Sequence, residues 1–402
     1  MLVHSKKIPR VSGACPSDPF KLFFEFIQVA LCNRDALSRV PSAEEWQALY
    51  AIAVKQAVAG VSFLGLQRLP KEQLVEMPVP MKMQWFALAE SVKQKNVVMN
   101  RKCAEVYNAL TKEGFGSVIL KGQGVATLYC DGSNKETHVK GFQTHSEGLC
   151  DGESENRDLR LYRQPGDIDV WMWKNGFSLK ENRKEVIIFA RTIQPDATGS
   201  GHHIAVEWMG TEVEMHYAPA YFCNPFANKR FRKWFMEYDK SRFLLSDNGF
   251  PIPDAEFNMV FLLSHAFRHY MYKGLGLRQV MDYYFLLKAR GHNLAVSSDR
   301  VIADLGMARF EKAMKWVIGN VFEGKDVEDS RKYGKLLLSH IMDGGNFGKH
   351  KATIASKHTH IGRFVNQLAH NIQLMRCDPS EAIWPPISMI REFIRIRINR
   401  VI

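Results

Sequence analysis

The chain has 402 residues, of which 46% are apolar and 24% charged, a globular balance that excludes a mostly disordered or fibrous protein. Lys and Arg outnumber Asp and Glu by 54 to 42, a net charge of +12. That surplus suits a polyanionic partner such as nucleotide, nucleic acid or acidic lipid, although a plain solvated surface is its commoner meaning.

No apolar stretch reaches the roughly 18 residues a membrane helix needs, so no membrane span is expected. The opening MLVHSKKIPRVSG has basic residues but no apolar h-region, so no signal peptide is expected and a cytoplasmic location is. The seven cysteines are scattered and include no C-x-x-C pair, which argues against a disulfide framework and against a zinc knuckle.

Residues 19–114 carry apolar side chains at three- and four-residue spacing, which predicts helices over 19–32, 43–60 and 81–114. Ser42 with Glu45 three residues later has the pattern of a capping box, and Gly114 stands where a helix would stop. The texture then changes. GSVILKG at 116–122 reads as a short strand bounded by glycines, and QGVATLYC after it as one or two helical turns. Residues 131–160 are polar, rich in Gly and Ser and almost free of apolar periodicity, so a long surface insertion is expected there. DIDVWMW, HHIAVEWMG and TEVEMHYAP follow as three strand candidates, the last two joined at Gly210 as in a tight hairpin, with a helical pattern over 178–193 after the first. From 225 onward the helical period returns in seven segments. The order predicts an α+β fold: a small mixed sheet flanked by helical regions, divided into 1–114, 115–224 and 225–402.

The strongest chemical signal is RQPGDIDVWM. Asp167 and Asp169 are two residues apart, so on a strand both carboxylates leave one face while Ile168 and Val170 take the other. Carboxylates held side by side repel and need a cation between them, and oxygen ligands on a rigid strand suit Mg²⁺ or Mn²⁺. By itself such a pair also fits a solvated acidic edge. In TEVEMHY, Glu214 and His216 share one face; pairing of that strand beside the Asp strand would bring a third carboxylate to the pair. Upstream, a strand, a Gly turn and a helix start at VILKGQG would present backbone N–H groups to a phosphate, with Lys121 as a nearby cation.

The series LKGQG, GDIDVWM and VEMHY resembles the nucleotidyltransferase superfamily with a DNA-polymerase-β-like core. Within it the chain is most similar to a bacterial family of uncharacterised nucleotidyltransferases. The matching positions are Lys121 and Gly122; Arg163, Gly166, Asp167 and Asp169; Glu214 and His216; then His265, His269, Arg278 and Asp282. The resemblance implies in-line transfer of a nucleoside monophosphate from an NTP, ATP by default, to a hydroxyl on an acceptor it does not identify. Asp167, Asp169 and Glu214 would hold two Mg²⁺ ions, while Lys121, Arg163 and Gln123 would face the phosphates. Two features depart from the pattern: Gln123 follows the turn glycine where Gly or Ser is usual, and the 131–160 insertion is long.

Other signals are blander. His265 and His269 are four residues apart on one predicted helix face but lack the Glu of a zinc protease motif and a third ligand. His202 and His203 are adjacent and, on a strand, would face opposite ways, which argues against joint chelation. The arginines of the tail IREFIRIRINRVI fit a docked helix better than an RNA or lipid contact. Two other functions stay open: a non-catalytic nucleotide- or partner-binding module, for which Gln123 is the reason, and a basic RNA-binding protein.

Overall fold

The computed structural model describes residues 19–129, 158–272, 274–290, 295–346, 360–374 and 382–390. Most of the insertion expected at 131–160, together with the tail arginines Arg391, Arg395, Arg397 and Arg400, lies outside the described residues.

The N-terminal helices are α1 (Pro19–Ala30), α2 (Ala43–Lys55), α3 (Ala59–Arg68) and α4 (Val79–Lys112). The Ser42–Glu45 capping box forms at the start of α2, side chain to backbone in both directions. The helix expected over 43–60 is two helices, because Ala57 turns the chain at φ 55° and redirects it into α3. Along α4 the buried side chains Trp85, Ala89, Val92, Asn96, Met99, Cys103, Val106 and Leu110 recur at alternating four- and three-residue intervals. That stripe is the face a long helix lays on a core.

The sheet follows: β1 (Gly116–Ile119), a helical turn α5 (Gln123–Ala126), β2 (Ile168–Trp173), α6 (Leu179–Ile193), β3 (His203–Trp208) and β4 (Thr211–His216). Its order is β1-β2-β4-β3. β1 runs antiparallel to β2, β2 parallel to β4, and β3 antiparallel to β4. The parallel pair requires a crossover, which α6 and β3 together supply. Asn182 of α6 pins that crossover, donating from Nδ2 to Met172 O at 2.9 Å while its Oδ1 accepts from Lys174 N at 3.1 Å. The β3–β4 hairpin closes on Met209 and Gly210, both at positive φ, the two-residue turn whose twist matches that of its strands.

The chain then becomes helical again: α7 (Pro225–Glu237), a two-stranded ribbon of β5 (Leu244–Leu245) and β6 (Pro251–Ile252), α8 (Ala255–Tyr272), α9 (Leu277–Arg290), α10 (Ala295–Asp304), α11 (Ala308–Val321), α12 (Arg331–Gly344) and α13 (His360–Leu374). The apolar helical spacing that runs from 301 to 322 is interrupted at Gly306, where φ is +79°, so α10 ends before α11 begins. The ribbon is too short to give a two-residue alternation in the sequence. Among the described residues, no helix is long and apolar enough to cross a membrane.

Buried apolar side chains from α1 to α12 form one cluster. Buried amides stitch its ends together. Gln28 on α1 donates to Val321 O at 3.1 Å. Gln56 donates to Ile341 O at 2.9 Å and accepts from Leu277 N at 3.0 Å. The start of α9, which carries the cleft residues Arg278, Gln279 and Asp282, is thus fixed by the N-terminal helices.

Candidate functional site

Asp169 is the centre of the site, and its position follows from the sheet. It lies in β2, opposite Glu214 of the parallel neighbour β4, and its carbonyl accepts from Leu120 N at the end of β1 at 2.9 Å. The next residue, Lys121, leaves β1 over the carboxylates: its Nζ is 2.9 Å from Asp169 Oδ1 and 3.9 Å from Asp167 Oδ2. Asp167 stands just before the strand, on the same side as Asp169 but more exposed, with side chains at 32% and 1% respectively.

His216 enters from β4. Its Nε2 lies 3.1 Å from Asp169 Oδ1 and 3.3 Å from Glu214 Oε2. The three side chains each offer a ligand atom within 4.8 Å of the others. Asp169 Oδ2 is buried and has no hydrogen-bond partner. A bare carboxylate oxygen beside a second carboxylate is a donor set that fits a divalent cation.

The electrostatics show what assembling these groups entails. Burial raises the Asp169 carboxyl to about 6 despite the Lys121 charge. Glu214 goes the other way: burial would raise it, but the His216 hydrogen bond and Lys121 outweigh burial and hold it well below the usual carboxylate range. Burial likewise opposes the charge on His216 and on Lys121, and in both the adjacent carboxylates prevail and raise the pKa.

Gly122 caps α5 at φ 63° and ψ −112°, a conformation closed to side-chain-bearing residues, and a Cβ there would stand 3.5 Å from Asp167 O. The turn and the Asp pair therefore lie side by side. Lys121, Gly122, Arg163, Gly166, Asp167, Asp169, His265, Arg278 and Asp282 line one cleft of about 30 Å³. Gly166 also borders a second cavity of about 430 Å³, walled by Lys95, Lys102 and Gln164.

Arg163 and Asp282 form a buried fork, Nε to Oδ1 at 2.7 Å and Nη2 to Oδ2 at 2.8 Å. Burial opposes the Arg163 charge, but Asp282 more than offsets it and raises the pKa. Asn96 of α4 holds the Arg163 backbone, donating to its carbonyl at 2.8 Å. Tyr129, which sequence reasoning missed, donates to Asp282 Oδ1 at 2.7 Å. Nothing in the sequence distinguishes it from a core tyrosine. Arg278 donates from Nη1 to Gln164 O at 3.1 Å, and burial, followed by the Arg163 charge, lowers it to about 10.

Gln123 is the expected site residue that the structure sets apart. It is buried, its Nε2 donates to Asn100 Oδ1 at 2.6 Å, and it borders a separate cavity of about 310 Å³. His265 faces the cleft, while the ring of His269 packs on it with centroids 4.4 Å apart. Burial pushes His265 well below its ordinary pKa, with the neighbouring His269 adding to the effect.

His202 and His203 require a correction. They were expected to diverge as strand neighbours, but β3 begins only at His203, leaving His202 in the bend before it. The two rings therefore meet, with His202 Nε2 3.3 Å from His203 Nδ1, and both lie against His216 with ring centroids 5.0 Å away. Burial, then the His216 charge, lowers both, His203 to about 4.

The family described as uncharacterised nucleotidyltransferase matches residues 42–136 and 159–321. No curated protein and no solved structure matches the chain. The stretch passed over between the two matched segments falls within the polar insertion. The match takes in well over half of the sequence, including the turn, the Asp strand, the Glu–His strand and the helices that face them, and the chain belongs to the uncharacterised nucleotidyltransferase family.

Proposed function

We propose that the protein transfers a nucleoside monophosphate from an NTP, with ATP the first candidate, to a hydroxyl of its acceptor. The acceptor hydroxyl gives up its proton to solvent, its oxygen bonds to the α-phosphorus, the bond from that phosphorus to the bridging oxygen breaks, and pyrophosphate leaves. The observation that carries this reading is the meeting of Gly122, Lys121, Asp167 and Asp169 at one cleft with Glu214 registered directly across from Asp169.

Asp167, Asp169 and Glu214 would hold Mg²⁺ or Mn²⁺, which when bound supplies charge for the attacking and leaving oxygens of an in-line displacement. Lys121 stands over the same carboxylates and is the cation placed to take a phosphate oxygen. The Gly122 turn brings the backbone close to Asp167, and Gln123, turned toward Asn100, leaves that turn clear. Arg163 is locked to Asp282, which suits it to bracing α9 against the loop before β2 and to providing a fixed positive wall. Arg278 braces the same loop through Gln164 O.

Size supports a division of the nucleotide between two neighbouring spaces. A small-molecule site needs a few hundred Å³. The cleft at the Asp pair, about 30 Å³, suits ions and phosphate oxygens; the cavity of about 430 Å³ that shares Gly166 with it suits a nucleoside, with Lys95 and Lys102 on its wall. Positioning and electrostatics then supply the rate, as in other phosphoryl-group chemistry.

The test uses α-labelled ATP, GTP, CTP and UTP with Mg²⁺ and pooled sugars, RNA and protein as acceptors. Wild type should transfer label with release of pyrophosphate, and Asp169→Asn should lose at least about 100-fold of the rate. Undiminished transfer by Asp169→Asn would contradict the proposal.

A further inference from the structure

We infer that His202, His203 and His216 form a binding site for a divalent transition-metal ion of the Zn²⁺ class, distinct from the carboxylate set proposed for Mg²⁺. Each ring offers one nitrogen, and the three nitrogens lie within 4.8 Å of one another. His202 Nε2 and His203 Nδ1 are 3.3 Å apart. Two nitrogens each about 2.0–2.1 Å from one tetrahedral ion stand about 3.3–3.4 Å apart. The spacing is thus that of a ligand pair.

A hydrogen bond between two imidazoles accounts for this contact but not for the surroundings. A third ring, His216, stands against both, and its buried Nδ1, the nitrogen turned away from the carboxylates, has no hydrogen-bond partner. The outer contacts are those of a ligand set. His203 turns Nε2 toward Glu214 Oε1 at 3.6 Å, and His216 turns Nε2 toward Asp169 and Glu214. A carboxylate on one ring nitrogen fixes the tautomer that leaves the other bare for a metal. The backbone holds the set in place: the His202 carbonyl accepts from Tyr217 N at 3.0 Å, next to His216.

Donor chemistry separates this site from its neighbour. Imidazole selects Zn²⁺, Co²⁺, Ni²⁺ or Cu²⁺, whereas carboxylate oxygens select Mg²⁺ and Mn²⁺. Three histidines with an open fourth position form a complete set for a four-coordinate ion. Metal binding by the three histidines does not depend on nucleotidyl transfer.

The test titrates the full-length chain, stripped by chelator and free of nucleotide, with Co²⁺ followed by visible absorption, and then with Zn²⁺ in competition. Wild type should take one equivalent of Co²⁺ with the intense bands of a four-coordinate ion, and Zn²⁺ should abolish them. His202→Gln and His203→Gln should each weaken binding by more than about 100-fold. Asp167→Asn should keep the bands. Absence of the bands in wild type, or their survival in both histidine variants, would overturn the site. Loss in Asp167→Asn with retention in His202→Gln would also overturn it, by moving the ion to the carboxylates. Circular dichroism of each variant checks the fold, and the wild-type titration decides the matter if a variant does not fold.

Discussion

Asp169 is a carboxylate almost wholly out of water, held by a lysine and a histidine that are themselves opposed by burial. Its pKa, raised by burial to about 6, means that ionising it costs stability relative to the unfolded chain, although the carboxylate is still its main form at neutral pH. Arg163 and Asp282 are a different case. Their charges are paired through two hydrogen bonds, and Tyr129 satisfies a further lone pair. Removing one partner strands the other in the core, so Asp282→Ala should cost about 3–5 kcal/mol in chemical denaturation. A cost under about 1 kcal/mol would show that Arg163 finds water or another partner. His265 gives the pH dependence. Its folded pKa is depressed by burial, so below about pH 6.5 the unfolded chain binds a proton that the folded chain refuses, and stability falls with pH. His265→Phe should flatten that slope between about pH 6.5 and 4.5, measured by urea unfolding; an unchanged slope would assign the acid sensitivity to His202 and His203 instead.

Elements, more than single residues, decide what becomes a site. The β1 turn matters because Gly122 adopts a backbone conformation open to glycine and packs on Asp167. Gly122→Ala should therefore cost about 1–3 kcal/mol of stability and weaken NTP binding together. An alanine variant that binds NTP like wild type would remove the turn from the proposed phosphate site. Much of this was legible in the sequence, because strand alternation and turn residues are local. The Asp167–Asp169 pair and the Glu214–His216 face follow from a two-residue period, and the turn from its glycine. The register that puts Glu214 opposite Asp169 does not, since it depends on α6 and the antiparallel β3 returning the chain so that β4 runs parallel to β2. The adjacent histidines were misread for a related reason: a strand beginning one residue later frees His202 from alternation, and element ends are what local patterns specify least.

Across the whole molecule, a single apolar cluster runs from the N-terminal helices to α12, and buried amides at Gln28 and Gln56 tie its ends together. The helical flanks were visible as periodicity, but their docking was not, because long-range contacts leave no trace in spacing. The same holds for Asn96, an apolar-face exception on α4 that supports Arg163 across 67 positions. With the cleft embedded in that shared core, ligand binding there reads out as stability of the whole chain. The most direct measurement is a thermal-shift titration of wild type and Asp169→Asn with each NTP, with and without Mg²⁺. An NTP at a hundred times its Kd adds about 2.7 kcal/mol, a shift of a few degrees for a chain of this size. The expected result is a shift in wild type that needs both NTP and Mg²⁺ and is lost in Asp169→Asn. No shift with any NTP, or an equal shift in Asp169→Asn, would contradict a nucleotide site at the Asp pair.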